Sequence, residues 1–311
     1  MAVTAKMVKE LREMTGAGML DCKKALTATD ADMDKAVEFL REKGLATAQK
    51  KAGRVAAEGL VKVMVSDDDK KAVAVEVNSE TDFVAKNEKF QNYVTQVAQQ
   101  AMDAKAADVD AFLAEPWKFD TSETVGEELA HKISTIGENM NIRRFARVSE
   151  ENGFIASYTH MGGKIGVLVD VETDVVNDDI REMAKNIAMQ AAALNPRFTN
   201  ENEVDQEYLD HEKEILLVQA KNEKPDANDK IINGMVMGRI KKELKEICLM
   251  DQVYVKAEDG KQTVGKYVAE VAKANNAKIE IKGFVRYMTG EGIEKKQEDF
   301  ASEVAAQMNN K

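Results

Sequence analysis

The segment Lys71-Ala-Val-Ala-Val-Glu-Val-Asn-Ser-Glu-Thr-Asp-Phe-Val-Ala-Lys-Asn87 combines a predicted strand with its connection to a helix. Apolar residues alternate up to Asn78, which predicts a β-strand, and residues 88–102 carry apolar or small side chains at helical spacing. The polar connection, residues 79–87, contains one conspicuous phenylalanine, Phe83. Phe83 either packs on the start of the helix as part of the core or is presented to a partner.

The composition indicates a globular protein with about two domains, because 311 residues are enough for a real buried core. The chain has 44 Lys and Arg against 55 Asp and Glu, and its net charge of −11 argues against direct binding of nucleic acid. No apolar run has the length of a membrane span or of a secretory signal. Cys22 and Cys248 lack metal-ligand spacing, so we expect a reducing, cytoplasmic location and no membrane.

An internal repeat is the strongest organisational signal in the chain. Each copy is predicted to run strand, strand, helix, helix, strand. The offset is the number of positions that separate matching residues of the two copies. It is 94 for Gly59-Leu-Val with Gly153-Phe-Ile, and for Val73-Ala-Val-Glu-Val77 with Val167-Leu-Val-Asp-Val171. The offset is 90 for Val97-Ala-Gln-Gln-Ala101 with Ile187-Ala-Met-Gln-Ala191. It is 139 for Thr124-Val-Gly126 with Thr263-Val-Gly265, and for Ile142-Arg-Arg-Phe-Ala-Arg147 with Ile281-Lys-Gly-Phe-Val-Arg286.

The repeat predicts the α+β class, with a core of two related subdomains that each contain a three-stranded sheet and helices. The fall in offset from 94 to 90 places about four extra residues of copy one within residues 79–87. Copy two has the shorter Thr173-Asp-Val-Val176 at this point, with no phenylalanine. The core can therefore be built without Phe83, and this favours a phenylalanine presented as a wedge.

Three short helices are predicted before the repeat, followed by a basic segment, residues 49–54, that we expect to be a solvated linker. Capping residues and glycines set the helix ends. The predicted limits are Thr4 to Gly16, Met19 to Thr27, and Asp30 or Asp32 to Gly44.

The rise in offset from 90 to 139 places about 49 extra residues of copy two between Asn195 and Thr263. Their apolar spacing predicts an antiparallel coiled-coil hairpin, broken at Lys224-Pro225. The hairpin is a structural buttress, a docking arm or a site of self-association. A last helix is predicted from Glu294 to Met308. The predicted seam consists of Val204, Tyr208, His211, Ile215, Val218 and Asn222, and of Ile232, Val236, Ile240, Leu244 and Ile247.

No arrangement for acid–base, nucleophilic or metal chemistry emerges from the sequence. His131, His160 and His211 lie far apart without ligand spacing, so we expect no catalytic site, cofactor or metal. The loop Ile136-Gly-Glu-Asn139 is a second point at which the copies differ, since copy two has Asn275-Asn-Ala-Lys278. Two alternatives to a wedge protein remain: an adaptor that binds through the N-terminal helices, and an enzyme with a site assembled across both subdomains.

Several long motifs together resemble the bacterial elongation factor Ts family. The similarity covers essentially the whole chain, with its motifs in the family's order. The third core strand of copy one departs from it, because Phe145-Ala-Arg147 is less aliphatic than the family pattern. The matching motifs are Leu11-Arg-Glu-Met-Thr-Gly-Ala-Gly-Met-Leu-Asp-Cys-Lys-Lys-Ala-Leu26, Thr81-Asp-Phe-Val-Ala-Lys-Asn87, Ile136-Gly-Glu-Asn139 with Asn141-Ile-Arg-Arg144, and Gly290-Glu-Gly-Ile-Glu294.

The resemblance implies a guanine nucleotide exchange factor for the GTPase elongation factor Tu, without a catalytic site of its own. By this likeness the Thr-Asp-Phe-Val segment enters the GTPase domain and displaces its Mg²⁺, with Phe83 wedged between two helices of the partner. The implied wedge residues are Thr81, Asp82, Phe83 and Val84, and the implied further partner contacts are Ile136, Gly137, Glu138 and Asn139.

The resemblance also implies a division of the chain, and a homodimer or a 2:2 complex with the GTPase is possible. The N-terminal module would hold the GTPase domain, and the second subdomain would hold another domain of the partner. The implied parts are a ubiquitin-associated-like (UBA-like) three-helix module with its linker (1–55), core subdomain N (56–150), core subdomain C (151–200 and 258–290), the inserted coiled-coil hairpin (201–257) and a C-terminal helical module (291–311).

Overall fold

The computed structural model describes residues 2–294. These residues form two compact units. The first comprises residues 2–61, 75–145 and 288–294, and the second comprises residues 62–74 and 146–287. The predicted C-terminal helix lies outside the described residues, apart from its first residue, Glu294. Within the described range, none of the helices combines the length and the apolar character needed to cross a membrane.

The chain begins with three helices, α1 (Ala5–Thr15), α2 (Met19–Ala28) and α3 (Met33–Lys51). The side chain of Thr4 caps α1, and Gly16 ends it in the left-handed conformation with a φ of 68°. These ends confirm the predicted limits of α1. The three helices share a small core that includes Leu11, Cys22, Ala25, Leu26 and Ala36.

The next elements alternate strands with helices, and a mixed helix-and-sheet fold is therefore confirmed. Strands β1, β2 and β5 form one sheet in the order β1-β2-β5, while β3 and β4 form a separate pair. The elements are β1 (Glu58–Val65), β2 (Lys71–Ser79), α4 (Asp82–Ala85), α5 (Glu88–Asp103), α6 (Val109–Leu113), β3 (Pro116–Trp117), β4 (Asp120–Thr124), α7 (Val125–Ile136) and β5 (Met140–Ser149).

The remaining described chain contains a second three-stranded sheet in the order β6-β7-β8. Strands β6 and β7 are antiparallel, with His160 paired to Ile165 across a turn that contains Gly162 and Gly163. The elements are β6 (Gly153–His160), β7 (Ile165–Thr173), α8 (Asp178–Leu194), α9 (Gln206–Glu223), α10 (Asp229–Ile247), α11 (Val264–Ala274) and β8 (Ile279–Met288).

Matched glycines show the same backbone approach in both copies of the repeat. A Cβ atom at Gly59 would lie 2.2 Å from the carbonyl oxygen of Val77, and one at Gly153 would lie 1.8 Å from that of Val171. Both distances are far below contact, so each site requires glycine. In both sheets the first strand thus has, near its start, a glycine whose Cα faces the backbone of the second strand.

The predicted end of α3 at Gly44 is wrong, because the helix continues to Lys51. Gly44 is buried, and a Cβ atom there would lie 3.8 Å from the carbonyl oxygen of Ala130 in α7. Packing of α3 on α7 therefore outweighs the helix penalty of glycine, which is about 1 kcal/mol. The segment predicted as a solvated linker, residues 49–54, begins inside α3 and is exposed at five of its six residues. Lys51 donates to the carbonyl of Gly137, and the exposed Arg54 forms an ion pair with Glu80.

The predicted hairpin is present as α9 and α10, and α9 ends at Glu223, just before Lys224-Pro225. Near the start of α9, Tyr208 donates its hydroxyl to Glu243, near the end of α10, so the helices are antiparallel. The predicted seam on α10 is confirmed for Ile232, Val236 and Ile240, which are buried.

The predicted seam on α9 is confirmed for Tyr208, which contacts α10, but it is wrong for Ile215 and Val218, which are exposed. Leu209, Leu216 and Ala220 pack on α10 instead. Apolar residues occupy two faces of α9, and spacing alone did not indicate which face meets the other helix.

The buried carboxylate of Glu76 in β2 joins three segments of the first unit. Its oxygens accept hydrogen bonds from Arg143 (3.0 Å), from Arg144 (2.6 Å) and from the backbone N–H of Gly290 (2.7 Å). Burial alone would raise the pKa of Glu76, but these hydrogen bonds and Arg144 outweigh it and lower the pKa below the ordinary value. Gly290 has a φ of +71°, and a Cβ there would lie 2.1 Å from the carbonyl oxygen of Ala57. The Gly290-Glu-Gly292 turn is therefore a docking point of the core.

Candidate functional site

The segment between β2 and α5 presents Phe83 to solvent. Its side chain is 81% exposed, the largest exposure of any bulky apolar residue among those described. Exposure on this scale forgoes about 2 kcal/mol of burial free energy. The alternative of a core plug on the start of α5 is thus wrong in this structure, where Phe90 fills that position and is fully buried.

A one-turn helix sets the direction of the phenylalanine. Thr81 caps α4, and its hydroxyl oxygen accepts the N–H of Val84 at 3.3 Å. Asp82, in the first turn, forms an ion pair with Lys86 at 2.6 Å. The buried Ala85 fixes the inner side of the turn, and Asn87 then caps α5. Phe83 consequently lies on the outer side.

The corresponding connection in copy two has no such turn. From Thr173, the last residue of β7, the chain reaches the cap of α8 at Asn177. In copy one the equivalent cap is Asn87, which follows Ser79, the last residue of β2, after eight positions instead of four. The additional length is the helical turn that carries Phe83, at the place where the change in repeat offset predicts it.

The Phe83 turn is hydrogen-bonded to the loop that follows α7. Glu138 accepts the N–H of Thr81 at 3.0 Å on one oxygen and the Thr81 hydroxyl at 2.6 Å on the other. In return, Glu80 accepts the N–H of Asn139 at 2.5 Å. The structure thus brings together the two segments that the sequence marks as different between the copies.

The predicted contacts of the second loop differ in accessibility. Ile136 is half-buried at the end of α7, and the exposed Gly137 ends that helix with a φ of 95°. Asn139 is only 2% exposed, and its side-chain amide donates to the carbonyl of Arg54 at 2.7 Å. Its contact with a partner stays a prediction, and in this structure its side chain makes an internal contact.

A groove runs beside the Phe83 turn, and no pattern in the sequence indicates it. It has a volume of about 500 Å³ and extends from Val84 and Ile136 to Thr15 and Gly16 at the end of α1. Three large apolar side chains are also exposed around the glycine-rich turn Gly16-Ala-Gly18 between α1 and α2. These are Met14 (61%), Met19 (57%) and Leu20 (74%). Their placement around the glycine-rich turn could have been inferred from the motif but not their exposure.

Glu123, Glu128 and His131 are three potential metal ligands whose donor atoms lie within 4.8 Å of one another, beside a cavity of about 420 Å³. Each carboxylate already pairs with a protein cation: Glu123 with Arg41 at 2.7 Å and Glu128 with Lys132 at 2.9 Å. Because both carboxylates already have a cationic partner, these residues form a salt-bridge cluster.

An exposed aromatic residue on a braced turn beside a partly apolar groove is typical of proteins that act by binding another protein. Comparison with known proteins gives the family. The sequence model described as Elongation factor TS matches residues 80–291. Elongation factor Ts of Clostridium novyi (strain NT) is 55% identical over 310 residues, which cover 99% of this chain and 100% of that protein.

Two further relatives agree. Elongation factor Ts of Clostridium tetani (strain Massachusetts / E88) is 54% identical, and that of Clostridioides difficile (strain 630) is 51% identical. Each match covers 98% of this chain and 99% of the relative. The chain belongs to the elongation factor Ts family, and the resemblance seen in its motifs is confirmed. Membership implies a nucleotide exchange role in translation elongation.

Proposed function

We propose that this chain is the guanine nucleotide exchange factor of elongation factor Tu. It binds the GDP-bound GTPase and inserts the segment Thr81–Val84 near the magnesium site. Insertion lowers the affinity for Mg²⁺ and GDP, GDP leaves, and GTP can bind. The observation that carries the proposal is the 81% exposure of Phe83, on a turn that the second copy of the fold lacks.

The physical basis is a competition for a few rigid elements of the GTPase. Translational GTPases hold GDP through backbone amides of the phosphate loop and through a Mg²⁺ ion. A side chain that moves these elements weakens nucleotide binding, with about 1.4 kcal/mol required for each tenfold loss of affinity. Burial of an exposed phenylalanine supplies free energy of this order. The exchange factor needs no acid, base or metal of its own for such a step.

Around Phe83, Asp82 would contact the same region of the GTPase, and Ile136 and Gly137 would make further contacts. Gly137 is exposed and lies next to the brace between Glu138 and Thr81, so both loops present one continuous surface. Asn139 would support this surface from within, given its burial.

The same proposal assigns the parts of the chain. Residues 1–55 form a UBA-like module that holds the GTPase domain, followed by two related core subdomains, a coiled-coil hairpin and a C-terminal helical module. Elongation factor Tu is the partner, and the assembly is a homodimer of this chain or a 2:2 complex with the GTPase. The protein acts in the cytoplasm and has no direct contact with nucleic acid or membrane.

Release of fluorescent GDP from purified elongation factor Tu tests the proposal. Wild-type protein should accelerate release, and Phe83→Ala should reduce kcat/KM of exchange by at least tenfold, as expected for loss of a central aromatic contact. Phe119→Ala is a matched control, because Phe119 is a second exposed phenylalanine (45%) on the short β3–β4 connection. If Phe83→Ala accelerated release as well as wild type does, the wedge role would be wrong.

The exposed apolar residues of the N-terminal helices favour a second candidate, an adaptor that binds its partner through this module. Under that hypothesis Leu20→Ser abolishes partner binding, whereas Phe83→Ala leaves both binding and GDP release unchanged. Under the exchange hypothesis Leu20→Ser weakens binding but the bound complex still releases GDP. Titration of each variant against the GTPase, followed by release at saturation, separates the two.

A further inference from the structure

The carboxylate of Glu138 is directed at the residue that caps the Phe83 turn. One oxygen accepts the backbone N–H of Thr81 and the other accepts its hydroxyl, at 3.0 Å and 2.6 Å. Hydrogen bonds to a charged acceptor contribute more than neutral ones. Both oxygens of Glu138 therefore have partners inside the molecule.

The hydroxyl contact determines the quality of the cap. Thr81 has a single hydroxyl proton, and a 2.6 Å bond donates it to Glu138. The lone pairs of the same oxygen then remain available to the N–H of Val84, at 3.3 Å. Glu138 thus orients the group that starts α4.

The helix that carries Phe83 depends on such support. It has four residues, Asp82–Ala85, and a single helical turn is not stable in water without external contacts. Its inner side consists of Ala85, which is 3% exposed, and the half-buried Val84. These two small side chains bury little apolar area, so the polar contacts of Thr81 contribute much of the stability of the turn.

Further hydrogen bonds tie the same two segments to the end of α3. Glu80 accepts the N–H of Asn139 and forms an ion pair with Arg54 at 3.6 Å. Asn139 in turn donates its side-chain amide to the carbonyl of Arg54. Lys51 donates to the carbonyl of Gly137. The turn, the loop after α7 and the end of α3 are thus connected by hydrogen bonds within one compact unit.

We propose that Glu138 is a positioning residue for the wedge: in place of the partner contact that the family resemblance implies for it, Glu138 acts on exchange through Thr81 and the Phe83 turn. The proposal rests on the exchange function proposed above. A preformed turn spares the complex the entropy of ordering it on binding. Loss of a charged hydrogen-bonded brace should lower exchange about tenfold.

A double-mutant cycle tests this separation of roles, with kcat/KM of GDP release from elongation factor Tu as the measurement. Glu138→Ala should reduce the rate constant about tenfold in the wild-type background and less than about twofold in the Phe83→Ala background. Equal losses in both backgrounds would mean that Glu138 contacts the partner, and this would overturn the proposal. The absence of any loss in the wild-type background would overturn it too.

A second measurement uses the free protein and no partner. Amide hydrogen exchange at Val84 to Asn87 should be faster in Glu138→Ala than in wild type by about tenfold, and unchanged in Phe83→Ala. Glu138→Gln keeps the chain length and one acceptor, so it should restore much of the protection. Glu88→Ala, in which a neighbouring exposed carboxylate is removed, is the control that should leave protection unchanged.

The two measurements fail in different ways. If wild-type protein does not accelerate GDP release, the exchange function is wrong, while the hydrogen-exchange result still reports on the brace. If Glu138→Ala leaves the amides of the turn protected, the brace does not position Phe83, whatever the rate of GDP release. Thermal unfolding of each variant identifies any substitution that disrupts the whole fold.

Discussion

At the scale of single residues, His131 has an acceptor at each ring nitrogen. Its Nδ1 faces a carboxylate oxygen of Glu128 at 3.2 Å, and its Nε2 faces the carbonyl of Thr15 at the end of α1. The carbonyl and the ionised carboxylate can only accept, so both contacts are hydrogen bonds when both ring nitrogens carry protons. The hydrogen bond to Glu128 raises the pKa of His131, which burial and the nearby Lys132 only partly oppose. The imidazolium thus joins α7 to the N-terminal helices.

Because the folded state raises the pKa of His131 above its ordinary value of 6.5, its contribution to stability is present below that value and is lost as the pH rises above it. Contacts of the N-terminal helices should therefore weaken by about 1–2 kcal/mol between about pH 6 and about pH 8. Hydrogen exchange of α1 amides across this range measures the effect. His131→Gln should remove the pH dependence, and a variant that keeps the same dependence would show that another group titrates.

Asp170 in β7 is a carboxyl group that the folded state makes harder to ionise. Burial, together with a hydrogen bond to the neighbouring carboxyl of Glu150 and repulsion from it, raises the pKa of Asp170 to about 7. The Oδ1 atom of Asp170 is buried without a hydrogen-bond partner. An acid whose pKa is higher in the folded than in the unfolded state destabilises the fold once the pH exceeds its unfolded-state pKa, because ionisation then favours the unfolded chain.

Asp170→Asn should consequently stabilise the second unit at pH 8, by about 1 kcal/mol after allowance for solvent screening. The same change should have little effect near pH 4, where the carboxyl is protonated in the folded state. Chemical unfolding of wild type and variant at both pH values checks the prediction. A stabilisation that is equal at the two pH values would have to come from packing and would exclude the charge pair as its cause.

At the scale of elements, helix α9 of the hairpin has two apolar faces, one packed on α10 and one exposed to solvent. Leu216 packs toward α10, whereas Val218, two positions along, is 60% exposed. Leu216→Ser should destabilise the hairpin by about 2 kcal/mol, and Val218→Ser by less than about 0.5 kcal/mol. Urea unfolding followed by circular dichroism measures both. Equal effects would indicate that the exposed face of α9 is covered in solution.

The sequence predicts elements well where one local pattern decides them. The alternation in Lys71–Asn78 and the capping residue Thr4 specify β2 and the start of α1, and both are found in the structure. It predicts poorly where packing decides. Helix propensity predicts that α3 ends at Gly44, yet the helix continues because Gly44 packs against α7. The short β3 and β4, with two and five residues, are too brief to show an alternating pattern.

The site divides in the same way. Comparison of the two copies marks Phe83 as dispensable for the core, and its exposure agrees with that inference. The brace could not be foreseen, because Thr81 and Glu138 are 57 residues apart and neither local pattern requires the other. The same holds for His131 and Thr15, which are 116 residues apart.

At the scale of the whole molecule, the exchange proposal separates two tasks, attachment to the GTPase and displacement of its nucleotide. The exposed Leu20 of the N-terminal helices would serve attachment, and Phe83 would serve displacement. A contact made equally with the GDP-bound and nucleotide-free GTPase raises affinity without shifting the equilibrium between them. Only a contact that differs between the two states couples the factor to the nucleotide.

The two residues should therefore have different effects on that coupling, which is the ratio of the affinities of this chain for nucleotide-free and GDP-bound elongation factor Tu. Leu20→Ser should weaken both affinities by a similar factor and leave the ratio unchanged, whereas Phe83→Ala should reduce the ratio about tenfold or more. Calorimetric titration of each variant with both forms of the GTPase gives the four affinities. By reciprocity, the affinity of GDP for the complex must change by the same ratio, which provides an independent check. If Leu20→Ser changed the ratio as much as Phe83→Ala, attachment and displacement would be one task, and the wedge would extend beyond the Thr81–Val84 turn.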